Sequence, residues 1–190
     1  MAKIKIITGS NRPGRFNPQP VAWVKSIAET VSGIEVEVLD LAEINLPFLD
    51  ETLPPMMGQY TQVHTKAWSA KIGEADGFIF VTPEYNHAYP AVLKNAIDYL
   101  FTEWNYKPVA FVSYGAVVGG ALAVEQLRSL ASVLNMFALK EQVVIPNYWG
   151  GLNEDGEYQF TAEQGKVATE MLIKLAFWSE EMKVSRAKLS

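Results

Sequence analysis

Along the chain, short apolar runs alternate with longer segments in which apolar residues recur every three or four positions. "IKIIT" (Ile4 to Thr8) predicts a first strand, and Val21, Val24, Ala28 and Val31 then mark a helix that Gly33 stops. "IEVEVLDL" (Ile34 to Leu41) alternates apolar and acidic residues, as a strand near a sheet edge does. "GFIFVT" (Gly77 to Thr82) is apolar throughout, which suits a central strand covered on both faces. Val92, Leu93, Ala96, Ile97 and Leu100 predict the next helix, "PVAFVS" (Pro108 to Ser113) a fourth strand, and Leu122, Leu127, Leu130, Ala131 and Leu134 a further helix. "ALKEQVVI" (Ala138 to Ile145) carries charge in its middle and reads as a fifth strand at an edge. A last helix starts at Thr161, which has the spacing of a capping box with Gln164, and carries Val167, Met171, Leu172 and Leu175 on one face. Strands separated by helices, with no repeat and no low-complexity tract, predict an α/β chain with an open sheet wound on both sides, one domain over residues 1–190.

In such sheets ligands bind beyond the carboxyl ends of the strands, where the strand order reverses. After the first strand comes "GSNRPGRFNPQP", in which Gly9 and Gly14 permit tight turns, Ser10 and Asn17 offer hydrogen bonds, and Arg12 and Arg15 bring two positive charges. A helix follows directly, so free N–H groups, the helix dipole and guanidinium donors converge on one anion, read as a single phosphate. Neither the lysine-bearing phosphate loop nor G-x-G-x-x-G is present, so this loop is not built for a nucleoside triphosphate or a dinucleotide. After the third strand, "TPEYNHAYP" sets rigid prolines (Pro83, Pro90) around Tyr85, Asn86, His87 and Tyr89: flat faces and backbone amides suited to a planar heteroaromatic ring. After the fourth, "SYGAVVGG" removes side chains at Gly115, Gly119 and Gly120, where a flat ligand could lie against backbone.

Composition narrows the chemistry. The chain has no cysteine and only two histidines, His64 and His87, which excludes disulfides, thiol catalysis and iron–sulfur clusters and leaves little for a metal site. A net charge of −5 with no basic tract argues against nucleic acid or an anionic membrane surface as partners. No run of eighteen apolar residues and no signal-like N-terminus is present, so we expect a cytoplasmic protein without a membrane span.

The three loops together, with "P-E-Y-N" followed by "PAVLKNAID", resemble the NAD(P)H-dependent FMN reductases, the flavodoxin-like group that includes small quinone, azo-dye and chromate reductases, from about Lys3 to Leu134. The resemblance implies a flavodoxin-like three-layer sandwich, a five-stranded parallel sheet in the order 2-1-3-4-5 with helices on both faces. It implies that Ser10, Arg12, Arg15 and Asn17 hold the FMN phosphate, that Pro83, Glu84, Tyr85 and Asn86 contact the isoalloxazine, and that Ser113 with Gly115, Gly119 and Gly120 lines its other side. Phe16, His87 and Tyr114 complete the expected cofactor-binding set. No protein side chain is expected to be catalytic and no metal is expected, because flavin N5 takes hydride from NADPH or NADH and passes electrons to a small acceptor in ping-pong order. A flavodoxin-type electron carrier and a non-redox binding protein of the same fold are the competing readings; the two arginines of the phosphate loop disfavour the first. The connection "AEINLPFLDETLPPMMGQYTQ" is long enough to cap the acceptor pocket. Tyr99, Phe101, Trp104, Tyr106, Tyr148 and Trp149 exceed what one helix and one loop need for a core, which, with the resemblance, leads us to expect a homodimer or homotetramer.

Overall fold

The computed structural model describes residues 1–189. Five parallel strands, β1 (Ala2–Thr8), β2 (Ile34–Asp40), β3 (Gly77–Pro83), β4 (Pro108–Gly115) and β5 (Phe137–Pro146), form one sheet in the order β2-β1-β3-β4-β5. The chain is therefore flavodoxin-like, as expected. Both edge assignments hold: β2 exposes Glu35 and β5 exposes Lys140, whereas every residue of β3 and β4 is buried.

Alternation along the strands builds two cores. Ile7, Phe78, Phe80, Val109 and Phe111 face α2 (Leu41–Ile44), α3 (Val63–Gly73), α4 (Ala91–Asp98) and α5 (Ala121–Val133). Ile4, Ile6, Ile79, Val81, Ala110 and Val112 face α1 (Pro18–Ala28) and α6 (Ala162–Arg186). The capping box at Thr161 forms with both of its hydrogen bonds, Gln164 N–H to Thr161 Oγ1 at 3.1 Å and Thr161 N–H to Gln164 Oε1 at 2.9 Å. Among the described residues no helix is long and apolar enough to cross a membrane.

Three expectations need amendment. The first helix ends at Ala28, so Val31 sits in the turn that follows rather than on the helix. Helix α3 has no counterpart in the hydrophobic reading because only Thr65, Trp68 and Ile72 of its eleven residues are buried, too few to set a period. The aromatics singled out as surplus belong largely to the core: Tyr99 and Trp104 are fully buried, Trp104 in edge contact with Phe78 at 4.9 Å, and Phe101 packs against the same cluster. Only Tyr106 and Trp149 of the six are exposed, so the set is for the most part not a surplus on the surface. The connection over 42–62 is pinned to the helices beside it: Asn95 Nδ2 donates to the Pro47 carbonyl at 2.6 Å, and Tyr99 Oη lies 3.0 Å from Asp50, which also pairs with His64. Burial works against the charge on Glu51, yet N–H groups of Thr61 and Gln62 hold its carboxyl down to about 2.

Candidate active site

A cleft of about 250 Å³ opens at the carboxyl ends of β1, β3 and β4, the point at which the strand order reverses. Its lining comes from four loops. Arg12, Gly14, Arg15 and Phe16 follow β1; Pro83, Glu84 and Tyr85 close β3; Tyr114, Gly115 and Ala116 close β4; Tyr148 and Trp149 follow β5.

The first loop divides its two arginines between different tasks. Arg15 donates to the Ser10 carbonyl and pairs with Asp40, whose other oxygen accepts the Ala42 N–H at 3.0 Å and so caps α2. Arg12 is exposed, and its guanidinium forms no ion pair or hydrogen bond among the described residues. It is the cation at the cleft left free to meet an anion. Ser10 is fully buried; its hydroxyl lies 3.0 Å from Tyr85 Oη and accepts the Arg12 N–H at 3.4 Å. Asn17, also fully buried, donates to the Val81 carbonyl at 2.9 Å and ties the loop to the neighbouring strand. Ser10 and Asn17 thus set the shape of the loop from behind, while Arg12 and Arg15 face the cleft.

The second loop is a two-residue hairpin. Tyr85 and Ala88 exchange both backbone hydrogen bonds, at 2.8 and 3.0 Å, and Asn86 and His87 between them both take left-handed backbone, φ 50° and 65°. Two consecutive non-glycine residues at positive φ match a type I′ turn, and Asn and His are among the non-glycine residues that take this backbone most often. Asn86 and His87 occupy the tip, outside the cleft lining; Pro83, Glu84 and Tyr85 form its wall. Glu84 does not end in open space: its Oε2 accepts the N–H groups of Leu122 and Ala123 at 3.0 and 3.3 Å, so it caps the start of α5.

Of the third loop's glycines only Gly115 borders the cleft, between Tyr114 and Ala116. Ser113 is fully buried, and its hydroxyl has no hydrogen-bond partner among the described residues. Gly119 and Gly120, at φ 58° and 87°, let the chain double back: a Cβ on Gly120 would fall 2.8 Å from Ser113 Cβ, and one on Gly119 would collide with Val144. These two glycines make room for neighbouring protein atoms rather than for a ligand.

Residues that the loop reading did not assign to the site are Ala116, Tyr148 and Trp149. Phe16 stacks on Tyr148 at 4.4 Å and 19°, and Tyr114 meets both edge-on at 5.1 and 5.5 Å, giving a rigid aromatic floor. Burial pushes the Tyr114 hydroxyl well above its ordinary value, so it stays protonated as a donor. Trp149, on the 3₁₀ turn Tyr148–Gly151, meets Tyr148 edge-on at 5.3 Å and is 55% exposed. The signal was available: the segment after the fifth strand, "PNYWGG", lies at the same sheet edge as the three loops that were read. The 42–62 connection contributes nothing to this cleft; Leu46, Pro47 and Phe48 line a separate one of about 330 Å³ with Asn11, Ala91, Val92 and Asn95. Among the described residues no group of three or more acidic or histidine side chains is placed to hold a metal ion.

Residues 2–150 match the NADPH-dependent FMN reductase family. An NAD(P)H-dependent FMN reductase of Schizosaccharomyces pombe is 48% identical over 136 residues, covering 70% of this chain and 68% of that protein. An NAD(P)H:quinone oxidoreductase of Solanum tuberosum is 35% identical over 138 residues, 70% of this chain and 69% of that protein. Among solved structures, the flavoenzyme NAD(P)H:(acceptor) oxidoreductase FerB of Paracoccus denitrificans aligns with a TM-score of 0.74 at 22% identity, covering 96% of this chain and 99% of that one, a likeness of fold.

Proposed function

We propose, from the premise that this chain belongs to the NADPH-dependent FMN reductase family, that the cleft at the carboxyl end of its sheet is the FMN site of a reductase for quinones and similar small planar acceptors. The family makes the protein an oxidoreductase that uses FMN and NAD(P)H. One observation carries this reading: the cleft joins a guanidinium without a partner among the described residues, Arg12, to flat walls at Tyr85 and the Phe16–Tyr148 stack. A phosphate requires the first and a planar ring the second.

The residues present fit the group. Arg12, with the backbone of the Gly14 turn, would hold the phosphate; Arg15, braced by Asp40, would add charge at one remove. Pro83, Glu84, Tyr85, Tyr114 and Gly115 would bound the ring, and Ser10, Asn17, Asn86, His87, Ser113, Gly119 and Gly120 support these contacts from behind or beside the cleft. Bound FMN supplies hydride and electron transfer that side chains cannot perform. The protein's contribution is to bind, orient and shield. Because the cleft has no second dinucleotide-binding loop beside it, the nicotinamide and the acceptor share one opening and use it in turn, which is a ping-pong order. We read the whole chain as one such unit acting in the cytoplasm, and as a homo-oligomer joined through exposed apolar residues such as Phe48, Met56 and Met57 rather than the buried aromatics beside α4.

The test is direct. Purified protein should be yellow or turn yellow on addition of FMN, and should oxidise NAD(P)H with a quinone as acceptor, giving parallel lines in double-reciprocal plots at several acceptor concentrations. Colour without NAD(P)H consumption would favour an electron carrier, and intersecting lines would exclude the ping-pong order. Light scattering that gives the 21.1 kDa monomer mass at micromolar concentration would remove the oligomer.

A further inference from the structure

The hairpin after β3 turns on two consecutive left-handed residues, and α5 grips it at two points. Glu84, at its base, accepts the Leu122 and Ala123 N–H groups. Gln126, one turn further along α5, donates Nε2–H to the carbonyl of His87 at 2.7 Å. Positions 122, 123 and 126 lie on one helical face, so a single element carries both grips. The second falls on His87, one of the two left-handed residues of the turn.

We propose that Gln126 is a positioning residue for Tyr85, an inference that rests on the FMN reading of the cleft. The path is short and consists of hydrogen bonds. Gln126 fixes the His87 peptide; the turn Asn86–His87 fixes Ala88 opposite Tyr85; the paired bonds between Ala88 and Tyr85 fix the Tyr85 backbone; and the Tyr85 hydroxyl meets that of buried Ser10 at 3.0 Å. Gln126 itself is exposed and lines no part of the cleft, so it influences a ligand only through this hairpin. Its hydrogen bond is solvent-facing, so losing it costs the fold little while freeing the turn to sample other conformations.

A double-mutant cycle on FMN affinity separates this role from a general structural one. Glutamine 126 changed to leucine (Q126L) should leave the melting temperature within about 1 °C and weaken FMN binding about fivefold, the worth of one ordinary hydrogen bond. Q126E, which turns the donor into an acceptor facing a carbonyl, should weaken it at least as much. Tyr85→Ala should cost about tenfold, as loss of a stacking wall does, and Q126L combined with Tyr85→Ala should be no weaker than Tyr85→Ala alone, because Gln126 then has no wall to hold. Multiplying effects, or unchanged affinity in both Q126L and Q126E, would overturn the proposal while leaving the FMN reading intact. An unchanged affinity in Tyr85→Ala, with Arg12→Ala weakened, would also overturn it and spare the phosphate end. Wild-type protein that binds no FMN would remove the reading and the proposal together.

Discussion

The two ends of the sheet are built on opposite plans. At the amino end charges are matched. Asp76, just before β3, accepts the Lys3 N–H at 3.0 Å and pairs with Lys183 and Arg186, each at 2.8 Å. Lys5 lies between Glu37 and Glu74, and buried Lys107, just before β4, donates to the last carbonyls of α3, Ile72 and Gly73, at 2.7 and 3.0 Å. At the carboxyl end the Arg12 guanidinium has no partner among the described residues, the hairpin tip holds two left-handed residues in succession, and the aromatic cluster of Phe16, Tyr114 and Tyr148 borders the cleft. The difference teaches that one end carries fold stability and the other forgoes some of it to keep donors and flat faces available for a ligand. Substitutions at the two ends should therefore separate into stability effects and binding effects.

The largest expected effect is at the amino end. Asp76→Ala should lower stability by about 2–4 kcal/mol, because it strands two cations and a strand N–H that the carboxylate satisfies. Chemical denaturation measures it, and FMN affinity should not change. Burial alone would raise the Asp76 carboxyl, but the bonds from Lys183 and the Lys3 N–H outweigh it and hold the carboxyl below its ordinary value. A lowered folded value means that the stabilisation is present above the unfolded carboxylate range, about pH 4. The gap between wild type and variant should therefore shrink as pH falls through the folded value below that.

Next in size, Arg12→Ala should weaken FMN binding by about 1.5–3 kcal/mol, the range for a charge-assisted hydrogen bond, and leave the denaturation midpoint in place. Lys107 offers a sharper test of the amino end. Burial first, and Arg186 second, push its ammonium down to about 7. The unfolded chain, with lysine near 10.4, then binds more protons than the folded one between about pH 7 and 10, so stability should rise with pH across that window. Lys107→Met should remove about 1–3 kcal/mol of that rise, seen as the difference between wild type and variant in denaturation series at pH 7 and pH 10. The smallest effect is expected from Trp149→Ala, whose half-exposed ring adds only a stacking face at the cleft. The KM for a planar quinone should rise about threefold with no change in stability.

The strands and three of the cleft's four loops were legible in the sequence because each rests on local pattern: an apolar run, then turn residues, then a helical period. Helix α3 escaped because its contact with the core is narrow, with the Trp68 indole donating to the Ala96 carbonyl at 2.7 Å and most of the surface left polar. The roles within loops depend on contacts that sequence separation hides. Glu84 reads as a ring contact until its carboxylate is seen on α5, 38 residues away, and Arg15 reads like Arg12 until Asp40 is seen beside it. Tyr148 and Trp149 read as assembly residues because aromatics look alike in a sequence; the stack of Tyr148 on Phe16, with Trp149 edge-on to Tyr148, brings them to the cleft.

Binding thus resides at the carboxyl end and stability at the amino end. A fluorescence titration of FMN into wild type, Arg12→Ala and Asp76→Ala, with thermal unfolding of the same three samples without FMN, separates the two. Arg12→Ala should bind FMN more weakly at an unchanged melting temperature, and Asp76→Ala should melt several degrees lower at unchanged FMN affinity. FMN binding that Arg12→Ala leaves intact, or that Asp76→Ala weakens as much as Arg12→Ala does, would contradict this division.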